Sequence, residues 1–295
     1  MTSIAVIAHR KKTFGGGLAE LRKDLTEKGF PNPLWYEASK SSKMPGLARR
    51  AVKEGAELLF IWGGDGSVQQ CVDAVAGEAV DIAILPAGTA NLLANNLEIP
   101  KDLSSAVDVG LFGDRRRLDV GVLNGERFAV MAGVGYDAIM MRDADRELKG
   151  HFGRLAYVWT GVRTTHMNPR KVRIKINGEP WFKGNATCVL LGQMGSLSGG
   201  IVAFPDAQPD DGLLEVGVVT AESALQWARV LSRMVVDDVK HSPLTKMTRA
   251  RKVRVKLDRP TTYELDGGAR KATKKIRASI EPGAINVCVP TRYKQ

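Results

Sequence analysis

The stretch Leu58-Leu59-Phe60-Ile61-Trp62-Gly63-Gly64-Asp65-Gly66-Ser67-Val68 leaves few folds open to this chain. Its first five residues are apolar without interruption, the pattern of a strand buried on both faces in a parallel sheet. Residues 68–76 then follow as a helix, with Val68, Cys71, Val72 and Val75 on one face. Strand, glycine turn and helix N-terminus together make a phosphate site. Glycine lets the backbone come close to an anion, and the helix points free N–H groups and its positive dipole end at it. The turn can equally be read as a tight strand-to-helix link. Asp65 argues against that passive reading, because a carboxylate beside phosphate is repulsive unless it holds a metal, orients a cation or takes a proton.

The flanking chain repeats the alternation of strand and helix. Ile4 to Ala8 reads as a strand, followed by the loop His9 to Gly17 and a helix from Leu18 to Lys28 with Leu18, Leu21 and Leu25 on one face. Leu34 to Ala38 is a second strand, the polar loop Ser39 to Lys43 follows, and a helix is expected over Leu47 to Glu54. Ile82 to Leu85 is a further buried strand, ending in Pro86-Ala87-Gly88-Thr89-Ala90-Asn91. This order describes a doubly wound α/β domain, in which ligands sit off the carboxyl ends of the strands. The loops His9 to Gly17, Gly63 to Ser67 and Pro86 to Asn91 all lie there.

After Arg115-Arg116-Arg117 the texture changes. Residues 119–131 alternate around Asn124-Gly125, a hairpin signature, and Lys171 to Glu179 repeats the form around Asn177-Gly178. Leu213 to Val219, Lys252 to Leu257 and Ile276 to Ile280 read as further strands, with helices expected near Gly153 to Thr164 and Ser223 to Val235. The reading is therefore an α/β doubly wound nucleotide-binding domain over residues 1–118 and an antiparallel β-rich, sandwich-like domain over 119–295. The C-terminal tail is free to return to the first domain. The arginine run and the alternating Lys/Arg of 171–175 and 249–256 read first as solvated strand faces, and basic edges discourage edge pairing.

Bulk properties narrow the partners. The 295 residues are 44% hydrophobic and 25% charged, an ordinary globular composition. No apolar run approaches the roughly 18 residues that span a bilayer, and the start carries no basic leader or apolar signal core, so cytoplasmic residence is expected. Cys71, Cys188 and Cys288 are too dispersed for a disulfide framework or a zinc site. The net charge of +11 suits an anionic lipid surface or a polyphosphate substrate, or simply a basic solvated surface. The basic residues are not interleaved with stacking aromatics, which argues against nucleic acid.

Several motifs then coincide in one order: Val6-Ile7-Ala8-His9-Arg10-Lys11, Gly63-Gly64-Asp65-Gly66-Ser67, Leu85-Pro86-Ala87-Gly88-Thr89-Ala90-Asn91, Leu118-Asp119-Val120-Gly121, Gly133-Val134-Gly135-Tyr136-Asp137, Asp210-Asp211-Gly212-Leu213 and Leu265-Asp266-Gly267-Gly268. The chain resembles, nearly end to end, the diacylglycerol kinase catalytic-domain family of lipid kinases, which includes sphingosine and ceramide kinases. The resemblance implies γ-phosphoryl transfer from ATP with Mg²⁺ to a lipid hydroxyl. It also implies that Gly63, Gly64, Asp65, Gly66 and Ser67 cradle the nucleotide phosphates, that Gly88, Thr89 and Asn91 complete the pocket, and that His9, Arg10, Lys11, Lys12 and Ser39 line its rim. Asp137 corresponds to an acid near the transferred phosphate.

Two departures stand out. The family's small bacterial members carry Asp-Gly-Glu where this chain has Asp266-Gly267-Gly268, so the glutamate that resembles the catalytic base is a glycine. Asp65 is the first substitute; Glu264 and Asp266, two positions apart on one strand and so on one face, are the others. The nucleotide turn continues Ser67-Val68-Gln69-Gln70 where relatives keep Thr-x-Asn-Glu. Asp210, Asp211 and the carbonyl of Leu213 match a structural magnesium site of the relatives, and the same residues read alternatively as an Asp-Gly turn. Met140, Met141, Phe152, Leu155, Trp159 and Leu197 are candidate linings for acyl chains, or simply core. The expected partners are a lipid substrate (diacylglycerol or sphingoid-like), ATP and a transiently contacted membrane surface, with no nucleic acid and a homodimer left open. A catalytically silent nucleotide- and lipid-binding relative, or an NAD-kinase-like enzyme, are the alternatives.

Overall fold

In the computed structural model, residues 3–135, 169–197 and 201–291 are described. The chain divides into two compact units, Met1–Val120 with Pro282–Gln295, and Gly121–Glu281. The expected helix near Gly153 to Thr164, Asp137 and the acyl-lining candidates Met140, Met141, Phe152, Leu155 and Trp159 lie outside the described residues.

The first unit has the alternation read from its sequence. Strands β1 (Ile4–His9), β2 (Leu34–Ala38), β3 (Leu58–Gly63) and β4 (Asp81–Pro86) are parallel and stand in the order β4-β3-β1-β2. Every residue of β1 and β3 is buried, which explains their unbroken apolar runs. Helices α1 (Leu18–Glu27), α2 (Met44–Lys53), α3 (Asp65–Val75), α4 (Leu92–Asn96) and α5 (Leu103–Phe112) complete the unit. Two of them begin earlier than expected. Pro45 supplies the fixed φ that suits the first turn of α2. The helix expected from residue 68 starts at Asp65, because Gly64 is extended and the carboxylate suits the positive end of the helix dipole.

The arginine run belongs to this unit's framework. Within β5 (Asp114–Leu123), Arg115 Nε donates to Asp81 at 2.7 Å and Arg117 Nε to the Gly283 carbonyl at 2.7 Å. Buried Asp119 accepts from the Gly283 amide at 2.7 Å. The Leu118-Asp119-Val120-Gly121 motif therefore fastens the returning C-terminal segment, whose Asn286 and Val287 pair in parallel with β4.

The second unit is built from β6 (Glu126–Phe128), β7 (Met131–Val134), β8 (Arg170–Ile176), β9 (Glu179–Ala186), β10 (Cys188–Gly192), β11 (Leu214–Val219), β12 (Thr245–Ala250), β13 (Lys252–Leu265) and the first part of β14 (Gly268–Val289). All its pairings are antiparallel: β12-β11-β10-β7-β13-β14, with β8 and β9 added beside β13. The early half of β13 lies between β8 and β14, and its end pairs with β7. Register shifts between Lys256 and Tyr263, around Pro260, let one strand serve both places. Helix α6 (Ala224–Val235) starts at a Ser223/Gln226 capping box, one residue from its expected start. The α/β and antiparallel β-rich composition is as expected.

β13 and β14 are much longer than the short segments read from alternation, because Asp266-Gly267 joins them in a two-residue turn with φ of +44° and +76°. This corrects the placement of Asp266. It is a turn residue, so strand alternation does not carry it to the face of Glu264. Its buried carboxylate accepts three amides, Ala129 at 2.8 Å on one oxygen, and Val130 at 3.0 Å and Met131 at 2.8 Å on the other. Removing the acceptor strands those donors without water. Asp266→Ala is expected to cost about 3 kcal/mol in urea unfolding, with amide exchange accelerated first at residues 129–131; an unchanged midpoint contradicts the clamp.

Candidate functional site

In the strand order β2-β1-β3-β4, successive connections leave β1 in opposite directions, so β1 and β3 flank the topological switch point. Ligands of open α/β sheets bind off the carboxyl ends at such a point. The loop after β1 and the glycine turn after β3 meet there. The Trp62 indole N–H donates to the Lys12 carbonyl at 3.0 Å, and Phe14 packs edge-on against Trp62 with ring centroids 5.8 Å apart. These contacts seat the backbone of the basic loop while the side chains of Arg10, Lys11 and Lys12 stay exposed. His9 is buried, and its Nδ1 accepts the Lys11 amide at 3.3 Å. Arg10 pairs with Glu37 at 3.1 Å.

Two glycine loops press against each other. A Cβ on Gly88 would stand 2.5 Å from the Gly64 Cα, and one on Gly64 would stand 3.0 Å from the Gly88 Cα. Neither position admits a side chain without moving backbone. A Cβ at Gly63 would stand 2.6 Å from that of Ser67. Gly66, by contrast, is exposed and opens on empty space. The result is a strip of bare backbone beside the first turn of α3, whose leading amides have no partners within the helix.

Asn91 and Asp65 hold the strip in place. Asn91 adopts a left-handed conformation, φ +47° and ψ +51°, and folds its amide into its own loop. It accepts from the Gly88 N–H at 2.9 Å and donates to the Gly88 and Pro86 carbonyls at 3.0 and 3.1 Å. The Asp65 carboxylate accepts the Asn91 amide at 2.9 Å on one oxygen and the Leu92 amide on the other. It thereby caps α4 from another loop. Burial pushes the Asp65 carboxyl above its ordinary value; the Leu92 and Asn91 amides and the charge of Lys12 hold it back.

The other expected residues fall as follows. Ser39 is exposed, and the hydroxyl that meets Ser67 is that of Ser41, Oγ to Oγ 2.9 Å. Both serines belong to the polar loop expected from the sequence, and the 3₁₀ turn Ser41–Lys43 begins at the second of them. Thr89 lies on the loop that Asn91 folds. Glu264 is buried near the end of β13 in the second unit. Leu197 is half-buried, and its amide donates to the Ile201 carbonyl at 2.7 Å. All three cysteines are buried, and burial pushes the Cys71 and Cys288 thiols up to about 12, which removes them as thiolate nucleophiles.

The expected magnesium residues Asp210, Asp211 and Leu213 directly precede β11. Asp211 accepts the Leu213 amide at 2.9 Å, an Asx turn, and its other partner is Arg249 at 3.7 Å. The same guanidinium pairs with Glu215 at 2.7 Å and donates to the Asp206 carbonyl, while Lys240 takes the Asp206 carboxylate at 3.2 Å. Burial raises the Glu215 carboxyl, and Arg249 opposes that rise. Among the described residues, no group of three or more His, Cys, Asp or Glu side chains is arranged to hold a metal. Arg249 was not singled out by sequence reading, because its role depends on standing opposite Glu215 across β11 and β12.

Comparison with known proteins agrees with this architecture. Residues 6–123 match the diacylglycerol kinase catalytic domain, and residues 130–289 match the YegS C-terminal NAD kinase beta sandwich-like domain. A Pseudomonas aeruginosa protein named "Probable lipid kinase YegS-like" is 30% identical over 253 residues, 83% of this chain and 82% of that one. The Bacillus subtilis diacylglycerol kinase is 28% identical over 241 residues, 79% of each chain. A Bacillus anthracis diacylglycerol kinase structure superimposes with a TM-score of 0.77 at 20% identity, covering 97% of this chain and 96% of the other. An Archaeoglobus fulgidus NAD kinase solved with ATP gives 0.52 at 10% identity, over 98% and 93%. The domain matches and the Pseudomonas relative together establish that this chain belongs to the diacylglycerol kinase catalytic-domain family of lipid kinases.

Proposed function

We propose that the protein is an ATP-dependent kinase that phosphorylates the hydroxyl of diacylglycerol or a related lipid. The observation that carries the nucleotide part is the bare backbone strip of Gly64, Gly66 and Gly88 beside the N-terminus of α3. It suits a polyphosphate because amides and the helix dipole supply the positive potential without bulk. Lys11 and Lys12 would neutralise outer phosphate oxygens, and Ser67, fixed by Ser41, would supply a hydroxyl. A divalent ion bound with the nucleotide would neutralise charge on the phosphates.

In the reaction the lipid hydroxyl oxygen bonds to the γ-phosphorus, the β–γ bridging P–O bond breaks, ADP leaves, and the hydroxyl proton passes to a protein carboxylate. We assign that acceptor to Asp65. A carboxyl raised above its usual value is a stronger base than an exposed aspartate. Asp266, with three amides on its two oxygens, is assigned a structural role. Glu264 is the second candidate. A catalytically silent relative is the competing reading, favoured by Gly268, which carries no carboxylate where relatives of the family resemblance keep one.

Labelled ATP offered with diacylglycerol, a sphingoid base or NAD separates these readings. Transfer to a lipid supports the proposal, transfer to NAD alone replaces it with an NAD-kinase-like activity, and nucleotide binding without transfer favours the silent relative. Asp65→Asn is expected to lower kcat by about 10²–10⁴ with the circular dichroism spectrum retained, and Glu264→Gln to leave kcat within a few-fold. The reverse order would move the base to Glu264. Because Asp65 must be ionised to accept the proton, kcat is expected to fall on the acid side at a pH above the ordinary aspartate range. Lys12→Ala removes a charge that favours the ionised form, so the acid limb should move further up in pH. A limb that stays put contradicts the assignment.

A further inference from the structure

The strands β8, β9, β13 and β14 of the second unit turn one face to a core that includes Val172, Ile174, Val253, Val255 and Ile276. The alternate positions face outward, and the register aligns them into rows. Lys183, Arg173, Lys256 and Lys275 stand directly opposite one another across the four strands. Lys175, Arg254 and Arg277 form a second row across three. All seven side chains are exposed, and none forms an ion pair with an acid among the described residues.

Folding does not call for this arrangement. Alternation requires only that the outward positions be polar, and like charges placed directly opposite on adjacent strands are destabilising. Elsewhere the same unit uses the stabilising alternative: Glu215 of β11 stands opposite Arg249 of β12 and pairs with it at 2.7 Å. Neighbouring strands lie about 4.8 Å apart, inside the screening length of about 8 Å at physiological salt. The two rows therefore act as one positive field over a sheet face, with the acid Asp258 at the next outward position of β13.

We propose that this face is a docking surface for a lipid bilayer containing anionic headgroups. A sheet face with cations aligned in rows meets an array of headgroups at many points at once, and each contact is weak and salt-sensitive. No aromatic side chain interrupts the rows, and Trp181 and Phe182 of β9 pack against the core instead. Single-stranded nucleic acid, which binds by stacking on exposed aromatics, is therefore a poorer fit. Preference for a bilayer over duplex nucleic acid rests on the lipid-kinase reading above. No helix among the described residues is long and apolar enough to cross a membrane.

The test uses the full chain and vesicles of phosphatidylcholine, alone or with about one third phosphatidylglycerol, none containing diacylglycerol. Sedimentation is expected to show binding to the anionic vesicles only, strong at about 0.05 M salt and lost by about 0.5 M. The variant Arg173→Gln/Arg254→Gln/Lys256→Gln/Lys275→Gln should reduce partitioning at least about tenfold. Its melting temperature should stay level or rise, since cross-strand repulsion is relieved. Its activity on short-chain diacylglycerol in neutral detergent should be unchanged. Equal binding to neutral vesicles, salt-independent binding, or a folded variant that partitions like the wild type would overturn the proposal. So would binding to a duplex oligonucleotide without binding to anionic vesicles. If the variant fails to fold, the salt titration of the wild type decides. Anionic vesicle binding without phosphoryl transfer to any lipid leaves the surface standing and removes the kinase reading; transfer in detergent without vesicle binding does the opposite.

Discussion

The contact on which the candidate site depends is backbone against backbone, Gly64 on Gly88. It brings the turn after β3 and the turn after β4 closer than any side chain permits, and two polar groups keep it there. Asn91 closes its own loop by three hydrogen bonds, and Asp65 reaches across to cap α4. The acid that looks out of place beside a phosphate site thus has a structural reason to be there, in addition to the chemical role proposed for it. Both uses draw on the same property, a carboxylate held in a partly buried position by amides and not by a salt bridge.

Much of the first unit was legible because its signals are local. An unbroken apolar run means a strand buried on two faces, and glycine after it means a close turn. What could not be read was which side chain a loop aims inward. Ser39 and Ser41 are chemically alike, and only the short 3₁₀ turn turns the second toward Ser67. The start of α3 was placed three residues late for a related reason: alternating apolar residues mark a helix's buried face, while its first turn here is Asp-Gly-Ser and is recognised only by its cap.

In the second unit, the alternating strands and the Asn-Gly hairpins were visible, but long-range pairings decide the site candidates. Asp266 reads as the end of a strand and is a turn residue whose oxygens serve amides about 135 positions away in sequence. The pairing of Arg249 with Glu215 and Asp211 likewise depends on strand register, which brings Arg249 opposite Glu215. The basic strands were read as solvated faces one at a time; register alone shows that their cations align into rows. No single strand contains that information.

The central claim is that bare backbone at Gly64 and Gly88 receives the nucleotide's phosphates. Calorimetric titration of ATP into the wild type and into Gly88→Ala tests it most directly, because the added methyl has no room against the Gly64 Cα and the Asn91 Oδ1, each at 2.5 Å. The account predicts that the variant keeps its circular dichroism spectrum and loses at least about tenfold in ATP affinity, a cost near 1.4 kcal/mol. A folded Gly88→Ala variant that binds ATP as tightly as the wild type would contradict it.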